Sequence, residues 1–221
     1  MDFYGTLVGG DRAAVEQVCR RIIDRYGLPM RPEELGVAWG KGYFALCESC
    51  NDGSFRTLHQ IECDSLVETL RAWIGPIDPE PLVEGLRQWL RGPQVFPDTL
   101  PVLGELRRRG IRTCIVSNAD HDDLLWAMKV TGISADHVVS SESARSYKPH
   151  PAIFLQALSD TGWSPGRVIH VGDSLHSDVG GARTVGLRAA WVCREGRISD
   201  IGTAVPDHTF ADLWGLLGVL G

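Results

Sequence analysis

The chain has 221 residues, 43% of them hydrophobic and 23% charged, with a formal net charge of −6. That length and balance describe one large globular domain, or a core with a smaller insert, able to bury its interior without disulfides or metal staples. The negative charge argues against non-specific binding to nucleic acid or anionic membrane. No apolar run approaches the roughly 20 residues a membrane helix needs, and no basic-then-apolar leader opens the chain. The expected compartment is the cytoplasm, where the six cysteines stay reduced.

The opening "MDFYGTLVGG" reads as a loop that carries chemistry, with Asp2 at its head and almost nothing before it. Residues 11–27 follow as an amphipathic helix. Asp11 is its expected N-cap, Val15, Val18, Cys19, Ile22 and Ile23 form its apolar stripe, and Gly27 ends it. From about 32 to 92 the pattern stays helical, broken at Gly53, at Gly75-Pro76 and at Gly92-Pro93. Within it Cys47, Cys50, His59 and Cys63 are chemically adequate zinc ligands. Their spacing fits no standard finger, and cysteines buried on a helical face are the preferred reading.

After Pro97 the periodicity changes. "LPVLGELRRRG" is a helix whose terminal arginines suit its dipole, and "RTCIVSN" is a buried strand entering a polar turn. "HVVSS", "RVIHVGDS" and "RAAWVC" are further strands, separated by the helical stretches "PAIFLQALSDTG" and "HSDVGGARTVG". Such alternation predicts an α/β fold with a parallel sheet covered by helices, whose ligand site lies beyond the carboxyl ends of the strands. Ser117, Ser141, Asp173 and Arg194 all sit at or just past those ends.

Four stretches at strand ends carry candidate chemistry: "DFYGTL", "VSNAD", "SYKPHP" and "VGDSLHSD". Asp173 and Asp178 can face one pocket as hard oxygen donors suited to Mg²⁺, or Asp173 and Ser174 can simply cap the next helix. Lys148 precedes Pro149, which biases its backbone to extended conformations, and it places a cation at the sheet rim. Ser117 and Asn118 can donate to phosphate oxygens or serve as turn formers.

In order and approximate spacing these stretches resemble the four motifs of the haloacid dehalogenase-like (HAD) hydrolases. "VFPDTLPVLGELRRRGIRTCIVSNAD" and "KPHPAIF" carry the likeness most strongly. The resemblance implies a Rossmann-like core, residues 1–9 and 93–221, with a helical cap inserted over 10–92. It implies that Asp2 is a nucleophile forming an aspartyl intermediate, that Ser117 binds the transferring group and that Lys148 neutralises charge. Gly5, Thr6, Tyr4 and Asn118 would contact substrate. Asp2, Asp173, Asp178 and the Tyr4 carbonyl would hold Mg²⁺. The implied function is a Mg²⁺-dependent phosphatase of a small phosphorylated metabolite.

Two departures qualify that expectation. Tyr4 stands where the family's phosphatases carry a second Asp as general acid, and a tyrosine resembles the family's 2-haloacid dehalogenases. The acidic "GDSLHSD" votes for the metal-dependent phosphatases instead, and Arg31 is only a weak match to the dehalogenases' cap arginine. Dehalogenase activity on the same Asp2, or a degenerate binding protein, are the alternatives. The motif also leads one to expect a buried strand ahead of Asp2, and so a start placed inside the motif. Trp39, Tyr43, Phe44 and Trp73 could line a substrate pocket but individually suit the cap's own core better.

Overall fold

The computed structural model describes residues 1–194 and 203–220. A short antiparallel ribbon, β1 (Val8–Gly9) with β2 (Gln94–Val95), brackets four helices. These are α1 (Asp11–Tyr26), α2 (Pro32–Ser49), α3 (Leu58–Leu70) and α4 (Glu80–Arg91). The chain then runs through α5 (Thr99–Arg108), β3 (Cys114–Ser117), α6 (His121–Thr131), β4 (His137–Ser140), α7 (Ser141–Ala144) and α8 (Pro151–Thr161). After β5 (Ile169–Gly172), a π-helical turn (Leu175–Gly180) leads into α9 (Gly181–Thr184), β6 (Arg188–Val192), β7 (His208–Phe210) and α10 (Trp214–Leu217). The expected helix "HSDVGGARTVG" is therefore split into a wide turn and a short α-helix. Gly10, rather than Asp11, occupies the cap position of α1, which begins at Asp11 itself.

β3 pairs in parallel with β4, and β5 with β6 and then β7. Met1 to Phe3 lie between these two groups. The Met1 N donates to Cys114 O at 2.6 Å, Val116 N donates to Met1 O at 2.8 Å, and Asp2 N donates to Val171 O at 2.8 Å. Bonds from one residue to the two flanking a neighbour are the parallel pattern. Residues 1–3 thus take the central place the motif requires, and Asp2 hangs off the middle of the sheet.

Alternation along β3 divides the interior into two layers. Ile115 packs with Phe3, Leu7, Val171 and Leu124 on one face, while Cys114 and Val116 pack with Val139, Phe154 and Val179 on the other. Helices therefore cover both faces, as a mostly parallel sheet demands. The four helices inside the ribbon own a separate core of Ile22, Leu35, Trp39, Leu66, Leu70 and Val83. A small cluster of Cys47, Cys50, Leu58 and Ile61 closes around Tyr147 from the sheet side.

Because Leu66 is fully buried in the helical core, Leu66→Ala should remove about 2–5 kcal/mol of stability. A lower urea midpoint with unchanged secondary structure is the expected result, and an unchanged midpoint would show that this layer does not pack as described.

Candidate active site

Asp2 is placed by the sheet and aimed by the turn that follows it. Gly5 has φ 88°, a left-handed conformation that favours glycine, and its N–H closes the turn on Val8 O at 2.6 Å. That turn brings the Thr6 hydroxyl to 3.0 Å from Asp173 Oδ1 and 3.3 Å from Asp2 Oδ2. Arg194 pins the turn from outside, donating to Thr6 O at 2.7 Å and to Asp98 Oδ2 at 3.1 Å while stacking over Phe96.

Lys148 Nζ lies 2.6 Å from Asp2 Oδ1 and 2.6 Å from Asp178 Oδ1, with all three side chains buried. Its backbone is fixed by Asn118, whose Oδ1 accepts from Lys148 N at 2.8 Å and whose Nδ2 donates to Lys148 O at 3.1 Å. Asn118 thus acts here by holding the lysine. Ser117, 1% exposed, ends β3 beside the Asp2 segment. Asp178 also accepts from His170 Nε2 at 2.9 Å and from Ser174 N at 3.1 Å. A Cβ on Gly172 would collide with the Asp178 carboxyl, so only glycine lets that carboxylate fold back under the strand.

Burial raises the Asp178 carboxyl, but the Lys148 charge and the His170 hydrogen bond outweigh it and hold the acid below the ordinary range. Burial lowers the Lys148 ammonium, and the charges of Asp178 and Asp2 more than reverse this. Burial brings His170 down to about 4 against the pull of Asp178, so the ring is neutral at neutral pH. His170 was not singled out by sequence reasoning. Its signal is a lone titratable residue inside the apolar strand that ends at Gly172.

One oxygen from each of Asp2, Asp173 and Asp178 lies within 4.8 Å of the others. Three buried carboxylates converge there as hard oxygen donors, two of them held by Lys148. That donor set fits a divalent cation of the Mg²⁺ kind.

A model of the haloacid dehalogenase-like hydrolases matches residues 1–186. The chain belongs to that family. Over 214 residues the hydrolase is 27% identical to haloacetate dehalogenase H-2 of Moraxella sp. (strain B), covering 94% of this chain and 90% of that protein. Over 168 residues it is 32% identical to the phosphoserine phosphatase of Thermus thermophilus, covering 66% of each. The solved L-2-haloacid dehalogenase of Xanthobacter autotrophicus shares the fold with a TM-score of 0.79 at 22% identity, over 99% of this chain and 96% of that one. Both chemistries are represented among the relatives.

Tyr4 of the hydrolase points away from the carboxylates. Its hydroxyl donates to Leu90 O at 2.7 Å and its ring packs against Trp89. Burial, then the charges of Asp123 and Asp2, push the phenol well above its ordinary value of 10. Beside it a cavity of about 10 Å³ separates the helical layer from the sheet, with Glu62, His59 and Arg87 on one wall and Asp120 and Asp123 on the other. None of Trp39, Tyr43, Phe44 and Trp73 lines it. Trp39 is buried, its indole N–H donating to Ser65 Oγ at 2.9 Å, whereas Phe44 and Trp73 are exposed. Ser141 holds the chain rather than the pocket, bonding Ala119 N and O.

The structure also divides the cysteine set. Cys47 and Cys50 pack around Tyr147, while His59 and Cys63 lie beside Glu80, with His59 Nε2 2.7 Å from Glu80 Oε2. Helix packing overrides sequence proximity, so the four do not form one zinc site. Among the described residues no helix is long and apolar enough to cross a membrane.

Glu62, 4% exposed, has its carboxyl pushed up to about 8 by burial and then by Asp120 and Asp123, with Arg87 opposing. An acid raised in the folded state contributes stability below its unfolded value of 4.5 and loses it as pH rises through about 8. Glu62→Gln should therefore match wild type near pH 4 and become more stable by up to a few kcal/mol near pH 9. Denaturation at several pH values reads this, and a constant difference would contradict it.

Proposed function

We propose that the protein is a Mg²⁺-dependent phosphatase of a small phosphorylated metabolite. The observation that carries this reading is the convergence of three buried carboxylates, Asp2, Asp173 and Asp178, each offering an oxygen within 4.8 Å of the others. Hard oxygen donors gathered this closely are the ligand set that Mg²⁺ prefers. Asp2, Asp173 and the Tyr4 backbone carbonyl would hold Mg²⁺, and Asp178 would orient the shell through its bonds to Lys148, His170 and Ser174. When bound, Mg²⁺ supplies positive charge at the phosphoryl oxygens. The helices between the ribbon strands serve as the cap.

On this reading a phosphoryl oxygen accepts from the Ser117 hydroxyl, and Lys148 balances charge beside Asp2. Asp2 attacks phosphorus in line, the ester P–O bond breaks, and the alcohol leaves as alkoxide. Water then attacks the aspartyl phosphate, releasing inorganic phosphate and restoring the carboxylate. Thr6 keeps Asp2 and Asp173 in register.

A dehalogenase reading is favoured by one specific feature, Tyr4 in place of a proton donor, since a halide leaves without a proton. The two are separated by metal. Asp173→Asn should lower Mg²⁺-dependent hydrolysis of phosphate esters by about 10²-fold or more. Undiminished turnover in excess chelator, or release of halide from 2-haloacids, would move the assignment to the dehalogenases.

With the Tyr4 hydroxyl committed to Leu90 and its proton held tightly, the leaving group must carry its own charge. Rates should fall steeply as leaving-group pKa rises, with 4-nitrophenyl phosphate far ahead of alkyl phosphates. Tyr4→Asp should help the alkyl esters selectively, by up to about 10²–10⁴. A flat dependence in wild type would mean that another residue supplies the proton.

A further inference from the structure

The helical layer holds a second group of metal-ligating side chains, away from the carboxylate centre. His59 and Cys63 lie four residues apart on α3, so both project from one face of that helix. Glu80 opens α4 and reaches the same place from the far end of the connecting segment. His59 Nε2 is 2.7 Å from Glu80 Oε2 and 3.9 Å from Cys63 Sγ. One ligand atom from each residue lies within 4.8 Å of the others. Asp78 fixes the start of α4, its Oδ1 accepting from Glu80 N at 3.2 Å.

These distances suit one ion. Bonds of about 2.0–2.3 Å to a tetrahedral Zn²⁺ put its ligand atoms roughly 3.3–3.7 Å apart, so shifts of about 1 Å would admit the metal. A set of imidazole, thiol and carboxylate selects Zn²⁺ over Mg²⁺. The three leave a fourth position for water, and exposed Glu80 gives the ion a route in from solvent. The resting protonation of His59 does not decide the matter. Whichever ring nitrogen carries hydrogen beforehand, Nε2 is the one that meets Glu80 and Cys63, and an ion there replaces any proton between them. The ring hydrogen then sits on Nδ1, which is buried and has no hydrogen-bond partner among the described residues, with Glu62 Oε2 3.9 Å away. A carboxyl on that side is the outer partner a metal-bound imidazole commonly has. Burial, then the charges of Glu80, Glu62, Asp64 and Asp78, push the Cys63 thiol up to about 12. The negative field that opposes a lone thiolate attracts a divalent ion.

We propose that His59 Nε2, Cys63 Sγ and the Glu80 carboxylate form a Zn²⁺ site that clamps α3 to α4. On binding, Cys63 coordinates as thiolate and its proton leaves to solvent. The site is independent of the reaction at Asp2. It ties the two helices together across residues 71–79. His59 N also donates to Asp120 Oδ2 at 3.0 Å, so the clamp steadies the end of α3 that docks on the sheet. Without the metal, the same three residues are a surface ion pair beside a buried cysteine, and the two cases differ in what they bind.

The test titrates Co²⁺, a spectroscopic stand-in for Zn²⁺, into the metal-stripped full chain in excess Mg²⁺, which competes for the hard carboxylate centre. A thiolate bound to Co²⁺ gives an intense charge-transfer band in the near ultraviolet. The band should saturate at about one equivalent and be displaced by Zn²⁺. Cys63→Ser should abolish it, whereas Cys47→Ser and Cys193→Ser should keep it. His59→Phe and Glu80→Gln should each weaken Co²⁺ binding by about tenfold or more. Zn²⁺ should also raise the Tm of wild type more than that of Glu80→Gln. Thermal melts confirm that each variant folds, and Glu80→Gln, on the surface, decides the matter if Cys63→Ser does not. Absence of the band in folded wild type overturns the proposal. So does a band that survives in folded Cys63→Ser, or undiminished affinity in Glu80→Gln. A band lost in Cys193→Ser would place the ion at that exposed cysteine and overturn it too.

Discussion

One ammonium group organises the centre of this hydrolase. Lys148 Nζ touches Asp2 and Asp178 at 2.6 Å each, and all three side chains are withdrawn from water. Burying such charges is expensive, and the attraction repays the cost only when geometry and remaining hydrogen bonds are good. The surrounding structure supplies both. Asn118 brackets the lysine backbone, His170 and the Ser174 N–H complete Asp178, Thr6 steadies Asp2, and Arg194 fixes the turn that carries Thr6. These partners and the three charged groups come from five separate stretches of chain. The pocket is thus assembled only when the whole sheet is, and removing any one charge would leave its partners buried and uncompensated.

The helical layer is tied to that sheet by a few polar contacts. Tyr4 donates to Leu90 O, Tyr147 donates to Arg56 O, and Asp123 receives Arg87 and Arg91. The firmest tie is at the start of α3. Thr57 Oγ1 accepts from Gln60 N, while Asp120 from the sheet side takes the two preceding N–H groups, Leu58 and His59. The first three amides of this helix are satisfied, two of them by a carboxylate that its positive end also favours. Moving the layer away to admit substrate must break this charged cap. Entry therefore costs something, and closure returns it, which suits a site that excludes water during the reaction.

The core and its carboxylates were legible because their signals are local. Strand–helix alternation placed Ser117, Lys148 and Asp173 at strand ends, and the acidic spacing of Asp173 and Asp178 suggested a shared pocket. The cavity was not legible. Glu62 lies one residue before Cys63 on a helix whose pattern says only amphipathic, and its neighbours Asp120, Asp123 and Arg87 come from distant segments. Sequence spacing likewise grouped Cys47 and Cys50 with His59 and Cys63, where packing sets the first pair against Tyr147 and the second beside Glu80. The Tyr4 identity was plain, but the direction of its hydroxyl, toward Leu90 rather than the carboxylates, depends on how the helical layer docks.

Tyr4 sets one chemical problem for the proposed phosphatase reaction. A phosphatase with no available acid beside its nucleophile must expel an alkoxide with little help, and the basicity of that alkoxide then sets the barrier. The Tyr4 hydroxyl is committed to Leu90 O and its proton is held tightly, so on that reading the burden falls on charge at the phosphoryl oxygens and on the leaving group itself. Attack of Asp2 on the carbon of a haloacid meets no such burden, since a halide leaves without a proton. One side chain beside the nucleophile therefore sets the chemical demand that separates the two readings.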